Sequence, residues 1–172
     1  LFFAIIITLT YAYVKIPNDL KIIQTMSVPV SNKVIVIDAG HGIPDKGAEN
    51  ENGISEEKIN LEIALKLQNI LESSGATVLL TRSDENGIYE ENTNTISEKK
   101  VSDIKNRVKI GNESSADLFV SIHLNNFSDE KYYGWQTFYK GGDENSKKLA
   151  DTIQKNLNET ISNENKRVTH TL

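Results

Sequence analysis

Three features of the sequence predict an α/β fold with a mostly parallel central sheet flanked by helices on both faces. Apolar runs alternate with helical patterns in the order "KVIVID", helix, "TVLLT", helix, "DLFVSI", "WQTFY", helix, the order that crossover helices impose on parallel strands. "VIVI" and "LFV" show no polar alternation, as expected of strands covered on both faces. At 172 residues the chain is also long enough for one domain with a substantial core.

Residues 1–14, "LFFAIIITLTYAYV", form an apolar run shorter than the roughly 20 residues a membrane-spanning helix needs. Because the chain starts at Leu1 rather than Met, the run reads as the remnant of a signal peptide or as a membrane anchor, with a buried first strand or helix as the alternative. Residues 15–32, "KIPNDLKIIQTMSVPVSN", are polar and proline-containing and read as a linker. The folded domain is therefore expected over residues 33–172, with membrane contact only through the N-terminal segment.

Within the domain, the first strand is followed by a helix with clear ends. Ser55 stands as N-cap, Glu56 and Glu57 fall in the first turn, Ile59, Ile63, Leu67 and Ile70 recur at helical spacing, and Gly75 ends it. A second helix is expected over residues 99–112 and a third over 144–157. The polar stretch "NGIYEENTNTISE", residues 86–98, reads as a surface loop.

Composition narrows the function classes. The formal net charge of −5 argues against general affinity for nucleic acid or anionic membrane. With no cysteine, there can be no disulfide, thiolate zinc site or cysteine nucleophile, so any metal must use His, Asp or Glu.

Parallel strands end at one sheet edge, where their crossover helices begin and where open α/β sheets bind ligands. His41 follows the first strand, His123 ends "LFVSIH", and Glu56 opens the first helix. All three belong to that edge. The connection over residues 39–55 is much longer than the usual 2–6 residues of such a loop, and its glycines, Gly40, Gly42, Gly47 and Gly53, permit unusual backbone or close approach. Taken singly, each residue has an ordinary explanation: a packed histidine, or a glutamate complementing a helix dipole. Together, two imidazoles and a carboxylate form a candidate catalytic zinc site with a position left for water or substrate, although their separation in sequence matches no short zinc motif such as H-E-x-x-H.

The sequence resembles the zinc-dependent N-acetylmuramoyl-L-alanine amidases of the Amidase_3 family. The resemblance rests on "VIVIDAGHG" with "PDKGA", "ISEEKINLEIALKL", "TVLLTR", "NRVKIGN" and "ADLFVSIHLNN", in the family's order over residues 33–166. The segments "SEKKVSDIKNRVKIGN" and "GWQTFYKGGDENSKKLADTIQ" are similar to the germination-specific amidases of spore-forming bacteria. The resemblance implies hydrolysis of the amide between N-acetylmuramic acid and L-alanine in peptidoglycan, in spore cortex (muramic-δ-lactam formation) and germination. It implies an extracytoplasmic location, secreted or membrane-anchored, in the cortex or forespore intermembrane space, and an activating protein as a possible partner.

By position, the resemblance puts the zinc ligands on His41, Glu56 and His123. Glu57 is the rival to Glu56, which fits the family's E-x-x-[IV]-x-L spacing. Asp38 and Asn125 match positions expected to orient ligands or contact substrate; for Asp38 the alternative is a turn former at the strand end. Arg82 and Arg107 also match motif positions and are expected in surface or fold-stabilising ion pairs.

Two departures stand out. Ala39 replaces the proline of the family's D-P-G-H-G, and no L-V-E-x-G-F-L-S-N motif, whose Glu is the family's general base and acid, occurs before Leu172. Glu164 and His170 lie in a polar tail and do not replace it, His170 being expected in solvent. The resemblance therefore implies a C-terminally truncated amidase lacking its last strand and impaired in hydrolysis. The alternatives are a degenerate amidase that binds zinc, glycan or a partner without hydrolysis, and a zinc carboxypeptidase-like peptidase.

Overall fold

A computed structural model describes residues 30–124, 133–162 and 164–172. The leader and nearly all of the linker expected before residue 33 lie outside the described residues, as does Asn125. No helix among the described residues is long and apolar enough to cross a membrane. The chain forms two compact units, Leu1–Asn125 and Asn126–Leu172.

The first unit is built on a three-stranded parallel sheet with β1 (Val34–Ala39) between β2 (Thr77–Leu80) and β3 (Leu118–Ile122). Helix α1 (Glu56–Ser73) connects β1 to β2, and α2 (Ile96–Glu113) connects β2 to β3. Ile35 registers with Val78 and Leu118, Val36 with Leu79 and Phe119, and Asp38 with Ser121. The period of two in a strand then sorts the side chains onto two faces.

One face carries Ile35, Ile37, Ala39 and Val78, packed with Ala64 and the partly buried Leu61, Leu67 and Leu71 of α1. The other carries Val36, Asp38 and Phe119, and here α2 approaches: a Cβ on Gly111 would stand 2.9 Å from the Phe119 ring, so the close approach requires glycine at that point. Helices thus flank both faces as the alternating sequence predicts. Coverage is complete only for β1, however. Phe119 and Leu79 remain 42% and 40% exposed on the α2 side, so the unbroken apolar run "LFV" belongs to a strand only partly covered.

Two helix starts differ instructively from expectation. Ser55 is the N-cap of α1, but its hydroxyl makes no capping bond; it donates to Glu57 Oε1 at 2.9 Å instead. Helix α2 begins at Ile96, ahead of the expected residue 99, because Thr95 and Glu98 form a reciprocal capping box: Thr95 Oγ1 accepts from the Glu98 N–H at 3.1 Å, and Glu98 Oε2 accepts from the Thr95 N–H at 2.9 Å. The T-x-x-E pattern is legible in the sequence and shortens the expected loop.

The second unit contains β4 (Phe138–Tyr139), α3 (Glu144–Thr160) and β5 (His170–Thr171), with β4 and β5 paired in parallel. Asp143 caps α3 by accepting from the N–H groups of Asn145 and Ser146. The tail expected to lack a strand pairs through backbone alone: the His170 N–H donates to Thr137 O at 3.1 Å and the Leu172 N–H to Tyr139 O at 2.9 Å. Apolar patterning cannot reveal such a strand. His170 is exposed, and Asn158 Oδ1 accepts from Trp135 Nε1 at 2.7 Å and Asn165 Nδ2 at 3.0 Å, joining α3 to the segments on either side of it.

Ile37 is fully buried, whereas Ile70 on α1 is 63% exposed. Ile37→Ala is expected to lower stability by about 2–5 kcal/mol in urea unfolding. Ile70→Ala should cost less than about 1 kcal/mol.

Candidate metal centre

The carboxyl ends of β1 and β3 and the start of α1 converge on one point. His41 lies just beyond β1, Glu56 is the first residue of α1, and His123 follows β3. Each offers a ligand atom, and these atoms lie within 4.8 Å of one another. Glu56 Oε1 is 3.3 Å from His41 Nε2 and 3.1 Å from His123 Nδ1. The imidazole rings meet edge to face with centroids 4.9 Å apart. The sequence alone named these three residues, and the fold brings them together; Glu57 is not in the group.

Backbone conformation is fitted to this convergence. His41 has φ 63°, left-handed and unusual for a non-glycine residue. A Cβ on Gly40 would stand 2.4 Å from His123 Nε2, and one on Gly47, at φ 70°, would stand 2.7 Å from Glu56 Oε2. Neither position accepts a side chain without displacing the His123 ring or the Glu56 carboxylate.

The donors are also electrostatically prepared. Burial pushes the Glu56 carboxyl upward in pKa, but N–H donation from Ala48 and Leu124, the nearby His41 charge and the His123 hydrogen bond outweigh it, and the net shift is downward. Those N–H bonds measure 3.0 Å to Oε2 and 2.7 Å to Oε1. Asp45 is likewise shifted down: burial opposes ionisation, while Lys100, His41 and the Gly47 N–H favour it. Ionised Asp45 can only accept, so His41 Nδ1, 3.1 Å from Asp45 Oδ2, carries a proton toward it. His41 Nε2 stands 3.3 Å from Glu56 Oε1, a gap that a proton on Nε2 or a metal cation between the two atoms would bridge.

Bond lengths of about 2.0–2.1 Å to N and O donors in a tetrahedral zinc site imply donor separations of about 3.3–3.4 Å. The 3.3 Å distance from Glu56 Oε1 to His41 Nε2 meets that requirement, the 3.1 Å distance to His123 Nδ1 is slightly short of it, and the three donor atoms together span up to 4.8 Å. His, Glu and His therefore form a donor set suited to a divalent metal, with Asp45 orienting one imidazole in the manner common to metal-binding histidines. Asp45 was missed in the sequence reading although it stands in the quoted "PDKGA", four residues after His41.

Asp38 faces away from this cluster into a buried polar node. Its Oδ1 accepts from Thr81 at 2.8 Å and Arg107 at 2.6 Å, and its Oδ2 from Ser121 at 2.6 Å. Arg107 also reaches Asp103 at 2.5 Å. Neither Arg107 nor Arg82 lies at the surface, which the sequence reading allowed: they are 7% and 4% exposed. Arg107 makes the fold-stabilising ion pairs expected of it, with Asp38 and Asp103, and also donates to the Ala39 and His41 carbonyls, whereas the hydrogen bonds of Arg82 go to backbone carbonyls.

Residues 35–171 match the Amidase_3 family, N-acetylmuramoyl-L-alanine amidase. The chain belongs to that family. It is 38% identical over 137 residues to the germination-specific N-acetylmuramoyl-L-alanine amidase of Bacillus subtilis (strain 168), covering 80% of this chain and 57% of that protein. To the amidase LytC of the same organism it is 34% identical, over 80% of this chain and 25% of LytC. Among solved structures, this Amidase_3 chain resembles the CwlD amidase from Clostridioides difficile in complex with the GerS lipoprotein, with TM-score 0.78 and 45% identity over 82% of this chain and 73% of that one. An N-acetylmuramoyl-L-alanine amidase from Clostridium difficile 630 gives TM-score 0.66 and 30% identity over 81% and 70% of the two chains. The chain thus spans little more than half the length of its germination-specific relative.

The Asp38 node yields a pH prediction. Burial raises the Asp38 pKa, but hydrogen bonds from Ser121 and Thr81 and the Arg107 ion pair hold it below the ordinary 3.8. A depressed carboxylate contributes stability that is present above its unfolded pKa and lost as pH falls through the folded value. Asp38→Asn is therefore expected to cost about 3–5 kcal/mol at neutral pH and to flatten the decline in stability below pH ~4, measured by urea unfolding across pH.

Proposed function

We propose that the chain carries the metal-binding part of a zinc-dependent N-acetylmuramoyl-L-alanine amidase acting on the amide between N-acetylmuramic acid and L-alanine in peptidoglycan. The observation that carries this reading is the convergence of His41 Nε2, Glu56 Oε1 and His123 Nδ1 in an Amidase_3 fold. When bound, a zinc ion supplies Lewis-acid polarisation of a carbonyl and a more acidic water. The protein residues do the rest: Glu56 contributes negative charge from a buried position, Asp45 keeps the His41 proton on Nδ1, and the Ala48 and Leu124 N–H groups hold the Glu56 carboxylate in place.

The acid–base step needs a further carboxylate. No L-V-E-x-G-F segment occurs in the 172 residues, and general acid–base assistance is typically worth about 10²–10⁴ in rate. We therefore expect slow turnover by residues 1–172 alone.

The likeness to a germination-specific amidase supports spore cortex as the substrate, with muramic-δ-lactam formation as the consequence and an extracytoplasmic site of action. The CwlD relative in complex with a lipoprotein supports an activating protein partner.

Zinc binding is expected to be stoichiometric by calorimetry and lost in His123→Ala. Joined to a segment supplying L-V-E-x-G-F, the chain should release intact stem peptides from muropeptides, identified by mass, only with metal present. Cleavage between amino acids would instead favour a peptidase. Metal-dependent turnover by the 172-residue chain at full family rates would overturn the expected impairment.

A further inference from the structure

Two buried guanidinium groups bind the chain around the metal centre, and their contacts differ. Arg82 Nε donates to Ala39 O at 2.8 Å, its NH2 group to Gly40 O at 3.1 Å and to Glu57 O at 2.7 Å, and its NH1 group to Asp84 O at 2.7 Å. Arg107 donates to Ala39 O at 2.7 Å and to His41 O at 2.6 Å. Three successive carbonyls, from Ala39 to His41, are thus held by two cations. Arg107 carries carboxylate partners in Asp38 and Asp103. Arg82 spends its bonds on carbonyls, and one nitrogen spans two separate pieces of chain.

Those two pieces matter. Gly40 immediately precedes His41, and Glu57 immediately follows Glu56. A single NH2 group bridging Gly40 O and Glu57 O therefore ties the turn that presents one imidazole to the helix start that presents the carboxylate. Asn60 Nδ2 adds a second link, donating to Gly40 O at 3.1 Å. Arg82 is 4% exposed, and burial is the largest influence lowering its pKa. Burying a cation is costly, and a hydrophobic residue would fill the volume without that cost.

We propose that Arg82 is a positioning residue for the metal centre: its guanidinium sets the separation of His41 and Glu56 by clamping Gly40 O to Glu57 O. The inference rests on the reading of His41, Glu56 and His123 as metal ligands. Lysine cannot reproduce the clamp, because one ammonium group lacks the planar fork that reaches Ala39, Gly40, Glu57 and Asp84 together. The turn at His41, already in a left-handed conformation, is then free to relax away from α1.

The experiment measures zinc affinity of the full 172-residue chain by competition with a chromophoric chelator, together with the visible absorption of the cobalt(II) form and the melting temperature without metal. Arg82→Lys and Arg82→Met are compared with Leu67→Ala, a core substitution on α1 outside the site that controls for lost stability. Both Arg82 variants are expected to bind zinc about 10–100-fold more weakly with an altered cobalt spectrum, whereas Leu67→Ala should stay within about twofold and keep the spectrum. If Arg82→Met fails to fold, Arg82→Lys decides alone. Wild-type affinity and spectrum in Arg82→Lys, or a loss no greater than that of Leu67→Ala, would overturn the inference while leaving the metal reading intact. Equal affinity of the parent and His123→Ala, or no binding by the parent, would overturn both.

Discussion

The parallel pairing of β1 between β2 and β3 is the constraint on which the site depends. Parallel neighbours run in one direction, so residues following β1, β2 and β3 must emerge at one edge, however far apart they lie in sequence. His41, Arg82 and His123 all emerge there, and the crossover from β1 returns α1 with Glu56 at its first turn. Bonds from Gly40 N–H to Ile122 O at 3.0 Å and from Thr81 N–H to Ile37 O at 3.0 Å carry the ladder past the strand ends. The histidine turn consequently starts from fixed backbone.

Much of this is legible in the sequence because buried strands announce themselves as apolar runs, although Ile63 and Ile70 of the expected α1 stripe are exposed and Leu61, Leu67 and Leu71 pack on the core instead. Ile35, Val36 and Ile37 of "VIVI" are buried, and the helix opened by Glu56 and Glu57 begins where its acidic first turn suggests. The three candidate ligands emerged from topology because the question was only which residues share an edge. Side-chain partnerships were less visible. Nothing in the spacing of Arg82 reveals that it bonds the main-chain carbonyls of Ala39, Gly40 and Glu57, 25 to 43 residues away, and an arginine in a motif reads equally well as a surface ion pair. The two-residue β5 was invisible for a related reason: its pairing uses backbone groups, which every sequence possesses.

The polar groups divide into two connected layers. Nearest the candidate ion position, Glu56 and the imidazoles supply donor atoms, and Asp45, itself paired with Lys100 at 3.0 Å, fixes the proton on His41. Beneath them, Asp38, Thr81, Ser121, Asp103 and the two arginines fix the main chain. The first layer determines which atoms face a metal. The second determines where they stand, and it does so with charges buried deeply enough that losing one partner would strand the other.

The three donors differ sharply in access to water. The Glu56 side chain is 5% exposed, that of His41 16% and that of His123 45%. The side open to water is therefore the imidazole at the end of β3, and the closed side is the carboxylate at the start of α1. Were a metal held among the three, the His123 imidazole would be the donor most open to competition from solvent, and the end of β3 would bear on exchange more than the end of β1 does.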